Sequence, residues 1–246
     1  MKRSVWPVVV GLSLLAVSAA VYLIHYAVFH DWHHIFIYLV GDLAFLPIEV
    51  LLVTLILHGL LTHREKRSRL VKLNMVIGTF FSEVGTDLLK SFSAADPASD
   101  DIRRHLVVKK DWSGRDFQHA ASSIRRHPVK LQVLPDRLQH VRDFLLAKRD
   151  FLLRLLENPN LLEHETFTDL LWAVFHLTDE LARRADLASL PESDRQHLGG
   201  DMERAYGVLI AEWLAYVQHL RKAYPYLFSL AIRTNPFDPQ ASPVVT

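Results

Sequence analysis

The chain has 246 residues, half of them hydrophobic, with 28 Lys and Arg against 27 Asp and Glu and no cysteine. The missing cysteine excludes disulfides, thiolate nucleophiles and cysteine-ligated zinc or iron–sulfur sites, and the apolar content excludes collagen-like and disordered classes. A purely soluble protein is excluded as well, because residues 1–61 carry only Lys2, Arg3, Asp31, Asp42 and Glu49 as formal charges.

Val5 to Phe29 is a run without formal charge, longer than the roughly 20 residues that a helix needs to cross the hydrocarbon core. Pro7 falls in its first turn, where a missing N–H costs nothing. Ile35 to Leu61 forms a second apolar run, and the HDWHH segment between them, residues 30–34, is long enough only for a tight turn. The expected fold class is therefore all-α. An N-terminal two-helix transmembrane hairpin occupies residues 1–61, with helices near 5–29 and 35–61, and a cytoplasmic helical bundle follows. Trp6, Trp32 and Tyr38 suit the aromatic belts of the two interfaces. Lys2 and Arg3 precede the first span, Arg64, Lys66, Arg67, Arg69 and Lys72 follow the second, and the turn has neither Lys nor Arg. Positive-inside bias then puts both termini in the cytoplasm of a multi-pass protein of the cell inner membrane. The five basic residues after the second span also suit anionic lipid headgroups. A signal peptide cleaved after Ser18-Ala19-Ala20 is the competing reading; the apolar run continues nine residues past Ala20, which favours the hairpin.

Asp42 and Glu49 lie two helical turns apart and share a face with Tyr38. Each costs about 3 kcal/mol near the bilayer centre, whereas the Leu, Ile, Val and Phe residues of the span return about −5 to −11 kcal/mol. Insertion is favourable, yet the carboxyls should face protein or water. Gly11, Ser18 and His25, with Tyr22 beside them, recur every seven residues on the first span and form the expected partner surface. Pro47, between the two acids, cannot donate to Leu43, so a kink is expected there. The first reading makes these groups packing contacts within the hairpin or with another copy. The alternative is a homo-oligomeric ion or proton channel with Asp42 and Glu49 along the pathway, because two helices alone enclose no pore. In the turn, His30, Asp31, His33 and His34 are either polar caps or, if the turn is helical, a metal-binding or pH-sensing group.

Thr62 to Phe92 contains no proline, and Leu70, Leu73, Ile77, Phe80, Val84 and Leu88 keep a helical spacing, which predicts a helix continuing from the membrane over 62–93. Gly78 and Gly85 would admit a close neighbour, from the same domain or from another copy. Residues 94–101 read as a linker, with Ser99 as a helix cap. Helices are expected at 100–110, 114–126, 136–157, 161–188, 192–222 and 225–233, punctuated by Gly114, Pro128, Pro135, Pro159, Pro191 and Pro225. Leu138, Val141, Leu145, Leu152 and Leu155 make one apolar face; Met202, Tyr206, Leu209, Trp213, Val217 and Leu220 make another. Leu170 to Phe175 is apolar nearly all round and should be central. Val129–Leu134 carries the strongest strand signal, and 234–246 reads as an extended proline-rich tail.

Residues 62–154 hold 19 basic and 11 acidic residues, net +8, and residues 155–246 hold 7 and 13, net −6. The two halves attract each other within or between copies. The basic clusters Arg103-Arg104, Lys109-Lys110 and Arg125-Arg126 sit in a nearly neutral domain with no recognised module, so no nucleic acid is expected. Neither phosphate-binding glycine loops nor a nucleophile elbow occur. His164-Glu165 is followed by Thr168 where a zinc protease needs its second histidine, and Asp116-x-x-His119 and Asp194-x-x-His197 lack the glutamates of a di-iron bundle. Asp169, His176, Glu180 and Arg183 line one helix face and read as its solvated side. No cofactor is implied. The expected function is that of a membrane-anchored, self-associating helical interaction or scaffold protein with a cytoplasmic protein partner; the channel is second, and a membrane-tethered enzyme third.

Overall fold

The computed structural model describes residues 6–126, 129–159, 161 and 164–245, and their side chains except at 7 and 59–72. Among the described residues every regular element is helical, and the fold class is all-α. The chain divides into two compact units, Met1–Lys66 and Arg67–Thr246.

The first unit contains α1 (Trp6–Phe29) and the start of α2 (Trp32–Phe80). Only His30 and Asp31 separate them, fewer than the five turn residues expected, and local hydrogen bonding explains the economy. His30 takes a left-handed conformation with φ 55°, and its N–H donates to the Tyr26 carbonyl at 2.8 Å. This closes the C-terminus of α1 as glycine often does elsewhere, and histidine is among the residues that tolerate it best. Asp31 Oδ1 accepts the His34 N–H at 3.1 Å, filling one of the donors that the first turn of α2 leaves open. Val8–Phe29 and Trp32–His58 are each long and apolar enough to cross a membrane. None of the described side chains from Trp6 to His58 is buried, and only Val10, Gly11, His25, Tyr26 and Ile35 are half-buried. The helix runs unbroken through Pro47; the single lost donor is outweighed by the bonds on either side.

In the second unit the end of α2 passes into a π-helical turn, Phe81–Gly85, and then α3 (Thr86–Ala95). There follow α4 (Ser99–Leu106), α5 (Gly114–Arg126), α6 (Pro135–Ala147), α7 (Arg149–Leu156), α8 (Glu165–Ala182), α9 (Glu192–Ala223) and α10 (Pro225–Arg233). The expected α9 face, from Met202 to Leu220, is buried along its length. Against α9 pack α3, α5, α8, α10 and the π-helical turn, while α6 and α7 pack against α8. Leu138, Val141, Leu145, Leu152 and Leu155 are all buried as expected.

Several expectations are corrected. The helix over 136–157 is two, because Lys148 leaves the helical region at φ −100°, ψ 2°. The helix over 161–188 is shorter at both ends. His164 caps it by accepting the Phe167 N–H at 3.2 Å, and Asp186 turns the chain beyond it by accepting the Ala188 N–H at 2.8 Å. Within α8, Leu170, Leu171 and Val174 are buried but Trp172 is 57% exposed, so this stretch is not enclosed all round. The segment with the strand signal is extended but bonds to helical partners: Gln132 N–H donates to Ala95 O at 2.8 Å, and Leu131 N–H to Glu203 Oε1 at 3.0 Å. The tail begins inside the core. Asn235 donates to the Leu106 carbonyl at 2.8 Å, and the buried Phe237 ring lies 5.1 Å from that of Trp213.

Leu73, Ile77, Phe80, Val84 and Leu88 are buried as the spacing predicts; the Leu70 side chain lies outside the described residues. The π-helical turn inserts one extra residue into this face, and the Phe81 carbonyl accepts the Thr86 hydroxyl at 2.8 Å. Phe80 and Phe81 are both buried. Gly85 makes room for them: a Cβ there would stand 2.5 Å from the Phe81 ring and 2.9 Å from the Phe80 ring. At Gly78 it would stand 2.9 Å from the Tyr216 hydroxyl. The two glycines thus admit side chains of the same domain. Gly85→Ala is expected to cost about 1–3 kcal/mol through overpacking. Gly200→Ala, on the exposed side of α9 with open space around it, is expected to gain up to about 1 kcal/mol from helix propensity. Thermal unfolding of the full chain in detergent, followed by circular dichroism, checks both signs.

Candidate functional site

Around the hairpin turn, aromatic and imidazole rings make the contact between α1 and α2. The Tyr26 and Trp32 rings lie 4.3 Å apart, and His25 stacks on His34 at 6.0 Å. Tyr38 meets His34 edge-on at 4.7 Å, one turn farther from the loop. Asp31 is engaged as a helix cap, and the His34 N–H that it accepts holds its carboxyl below the usual range. His30 supplies the left-handed residue, and His33 is exposed. Among the described residues no group of three or more histidine or carboxylate side chains is placed to hold a metal ion. Tyr22, Asp42 and Glu49 are exposed, and neither acid has a hydrogen bond or ion pair among the described residues. Gly11 has open space where the partner stripe was expected. The side chains of Arg64, Lys66, Arg67, Arg69 and Lys72 lie outside the described residues.

The second unit carries an open groove of about 620 Å³ beside the π-helical turn, with Met75, Gly78, Phe81, Tyr216, Tyr226 and Leu230 among its walls. Met75, Tyr226 and Leu230 expose apolar surface there. His219 also lines it; burial, with Lys222 nearby, pushes its imidazole pKa down. Turns of this kind often mark functional positions in helices, and here the turn shapes one wall of the groove.

A polar cluster stands between α8 and the first turns of α9. Arg184 binds Asp194 through two nitrogens, at 2.6 and 2.7 Å, and Glu180 Oε2 at 2.7 Å. These bonds hold both carboxyls below their usual range and push the guanidinium up. His176 and His197 approach the buried Asp201 at 3.4 and 3.5 Å. Of the four α8 residues expected to form a solvated face, His176 and Glu180 join this cluster; Asp169 and Arg183 do not enter its ion pairs. Arg184, His197 and Asp201 come from positions that the one-helix reading did not connect. The signal was His-x-x-x-Glu and His-x-x-x-Asp, one helical turn each, on consecutive helices.

Two apolar helices long enough to cross a membrane, followed by a separately folded helical domain, define a two-part all-α protein. The chain belongs to the MJ1433 family. Residues 2–61 match "MJ1433, N-terminal helical domain", and residues 69–233 match "Uncharacterized protein MJ1433, C-terminal helical domain". Uncharacterized protein MJ1433 of Methanocaldococcus jannaschii is 44% identical over 230 residues, covering 94% of this chain and 92% of the relative. No solved structure matches the chain.

The depressed carboxyls set a pH dependence. A lowered folded pKa stabilises the fold above the ordinary carboxyl range, and that contribution is lost as pH falls through the folded values. Arg184→Met is therefore expected to lower the melting temperature at pH 7. The gap from the parent should close as the pH is taken below the ordinary values of 4.5 for Glu180 and 3.8 for Asp194. Parallel melts between pH 7 and 3 check this.

Proposed function

We propose that the chain is a membrane-anchored helical protein that self-associates through the α2 face bearing Asp42 and Glu49 and offers its C-terminal domain to a protein partner. The carrying observation is the uncovered apolar surface of Val8–Phe29 and Trp32–His58, 22 and 27 residues long, on which the chain buries nothing. Water makes such surface expensive, at roughly 25 cal/mol per Å², while a bilayer accepts it and an α-helix satisfies its own backbone there. The basic residues beyond each end of the pair, Lys2 and Arg3 and then Arg64 to Lys72, support both termini on the cytoplasmic side and contact with anionic headgroups.

Support for self-association comes from the two carboxyls. Unpaired acids facing lipid are costly, and a second copy supplies either a hydrogen-bonding surface or an enclosed wet path. The same absence of partners among the described residues favours the channel as the second reading. The groove beside the π-helical turn, apolar and open, supports partner binding by the C-terminal domain.

Membranes holding the full chain, washed at alkaline pH, should retain it; release into the wash overturns the anchor. In bilayers, chemical cross-linking should trap oligomers. The double variant Asp42→Leu, Glu49→Leu should weaken association about tenfold or more, since polar contacts between membrane helices contribute about 0.6–2 kcal/mol each. A monomer at every protein-to-lipid ratio would remove self-association and the channel together. Ion flux that Glu49→Gln abolishes at unchanged assembly would move the channel to first place.

A further inference from the structure

The groove beside the π-helical turn is walled by the end of α2, the turn itself, α9 and α10. Its volume of about 620 Å³ falls inside the roughly 300–1,000 Å³ that small-molecule sites occupy. Three threonine hydroxyls on these walls are already engaged. Thr79 donates to the Met75 carbonyl at 3.0 Å, Thr86 to the Phe81 carbonyl at 2.8 Å, and Thr234 to the Leu230 carbonyl at 2.9 Å. Tyr216 differs. It is half-buried in the same groove, and among the described residues its hydroxyl has no hydrogen-bond partner.

That hydroxyl is nevertheless held in place from two sides. Phe81, the first residue of the π-helical turn, stacks on the Tyr216 ring with centroids 5.3 Å apart and planes 14° from parallel. Gly78 clears the space at the end of the ring, where a Cβ would stand 2.9 Å from the hydroxyl oxygen. Burial pushes the hydroxyl pKa up, so it stays protonated and available to donate. A donor partly withdrawn from water carries a cost that an acceptor from outside the chain removes. The charges nearby are already settled. Lys148 holds the Glu83 carboxylate at 2.9 Å, and burial, followed by Lys222, keeps the His219 imidazole neutral. A charged ligand would lose hydration here without gaining a counterion. Met75, Tyr226 and Leu230 expose apolar surface of the kind that a flat ring covers, because thioether and aromatic side chains both pack well on rings.

We propose that this groove binds an uncharged aromatic small molecule whose carbonyl oxygen accepts the Tyr216 hydroxyl while its ring covers Met75, Tyr226 and Leu230. The proposal goes beyond the protein-partner reading and does not rest on it. A partner protein is the competing occupant of the groove; the volume and the recessed donor favour the small molecule.

The full-length protein in lipid nanodiscs is titrated calorimetrically with three probes, and the signal of empty nanodiscs is subtracted. The probes are 2-acetylnaphthalene, 2-ethylnaphthalene, which keeps the shape but lacks the oxygen, and the anion 2-naphthoate. The ketone is expected to bind saturably at one site per chain and more tightly than the other two. Tyr216→Phe should weaken the ketone by about 2–10-fold, the worth of one neutral hydrogen bond, and leave 2-ethylnaphthalene unchanged. Leu230→Trp, at a half-exposed position on the groove wall, should block both while the melting temperature stays near that of the parent. Ketone binding that Leu230→Trp leaves intact places the ligand elsewhere and overturns the proposal, as does a Tyr216→Phe variant with undiminished ketone affinity. Naphthoate binding as tightly as the ketone overturns the uncharged class. Absence of saturable binding by the parent also overturns it and returns the groove to the partner protein, with the membrane anchor, read from the alkaline wash, unaffected.

Discussion

The packing of α8 against α9 organises the C-terminal domain. α9 is 32 residues long, and its buried face gives α3, α5, α8 and α10 a common post, while α8 in turn receives α6 and α7. The π-helical turn brings Phe80 and Phe81 into the core near Phe167 and Tyr216. The start of the tail returns to bury Phe237 against Trp213. The polar cluster exists because the two helices approach closely enough for the end of one to meet the beginning of the other.

The N-terminal unit solves the opposite problem. Its two helices expose apolar surface that the described residues leave uncovered, and they are long and apolar enough to cross a membrane. This explains the economy of the turn: His30 closes one helix, Asp31 opens the next, and no further residues are spent. In the C-terminal domain acids pair with arginine or lysine; among the described residues Asp42 and Glu49 have no such partner.

Elements with strong periodicity and hard punctuation were legible. α5 and α10 lie where Gly114 and Pro225 place their starts, and the α9 face from Met202 to Leu220 is buried as its spacing requires. The misreadings share a cause, which is competition settled by tertiary contacts. Lys148 breaks a continuous helical pattern because α6 and α7 each pack on α8. Val129–Leu134 has the residues of a strand but no neighbouring strand among the described residues, so its N–H groups are taken by Ala95 and Glu203. Trp172 belongs to an apolar run yet remains exposed, because the packed face of α8 is set by its neighbours and not by composition.

Alone, the sequence determined which segments are apolar enough for a membrane, that the remainder is helical, and which faces of the long helices turn inward. Those properties follow from local spacing and from the solvent preference of each side chain, and need no knowledge of neighbours. Tertiary structure decided which polar residues meet. His176 and Glu180 on one helix and His197 and Asp201 on the next each look like an ordinary solvated pair along the chain. They become one cluster, with Asp201 at ion-pair distance from both imidazoles, only when two helices are pressed together, because convergence in space depends on the crossing of elements and not on spacing within either of them.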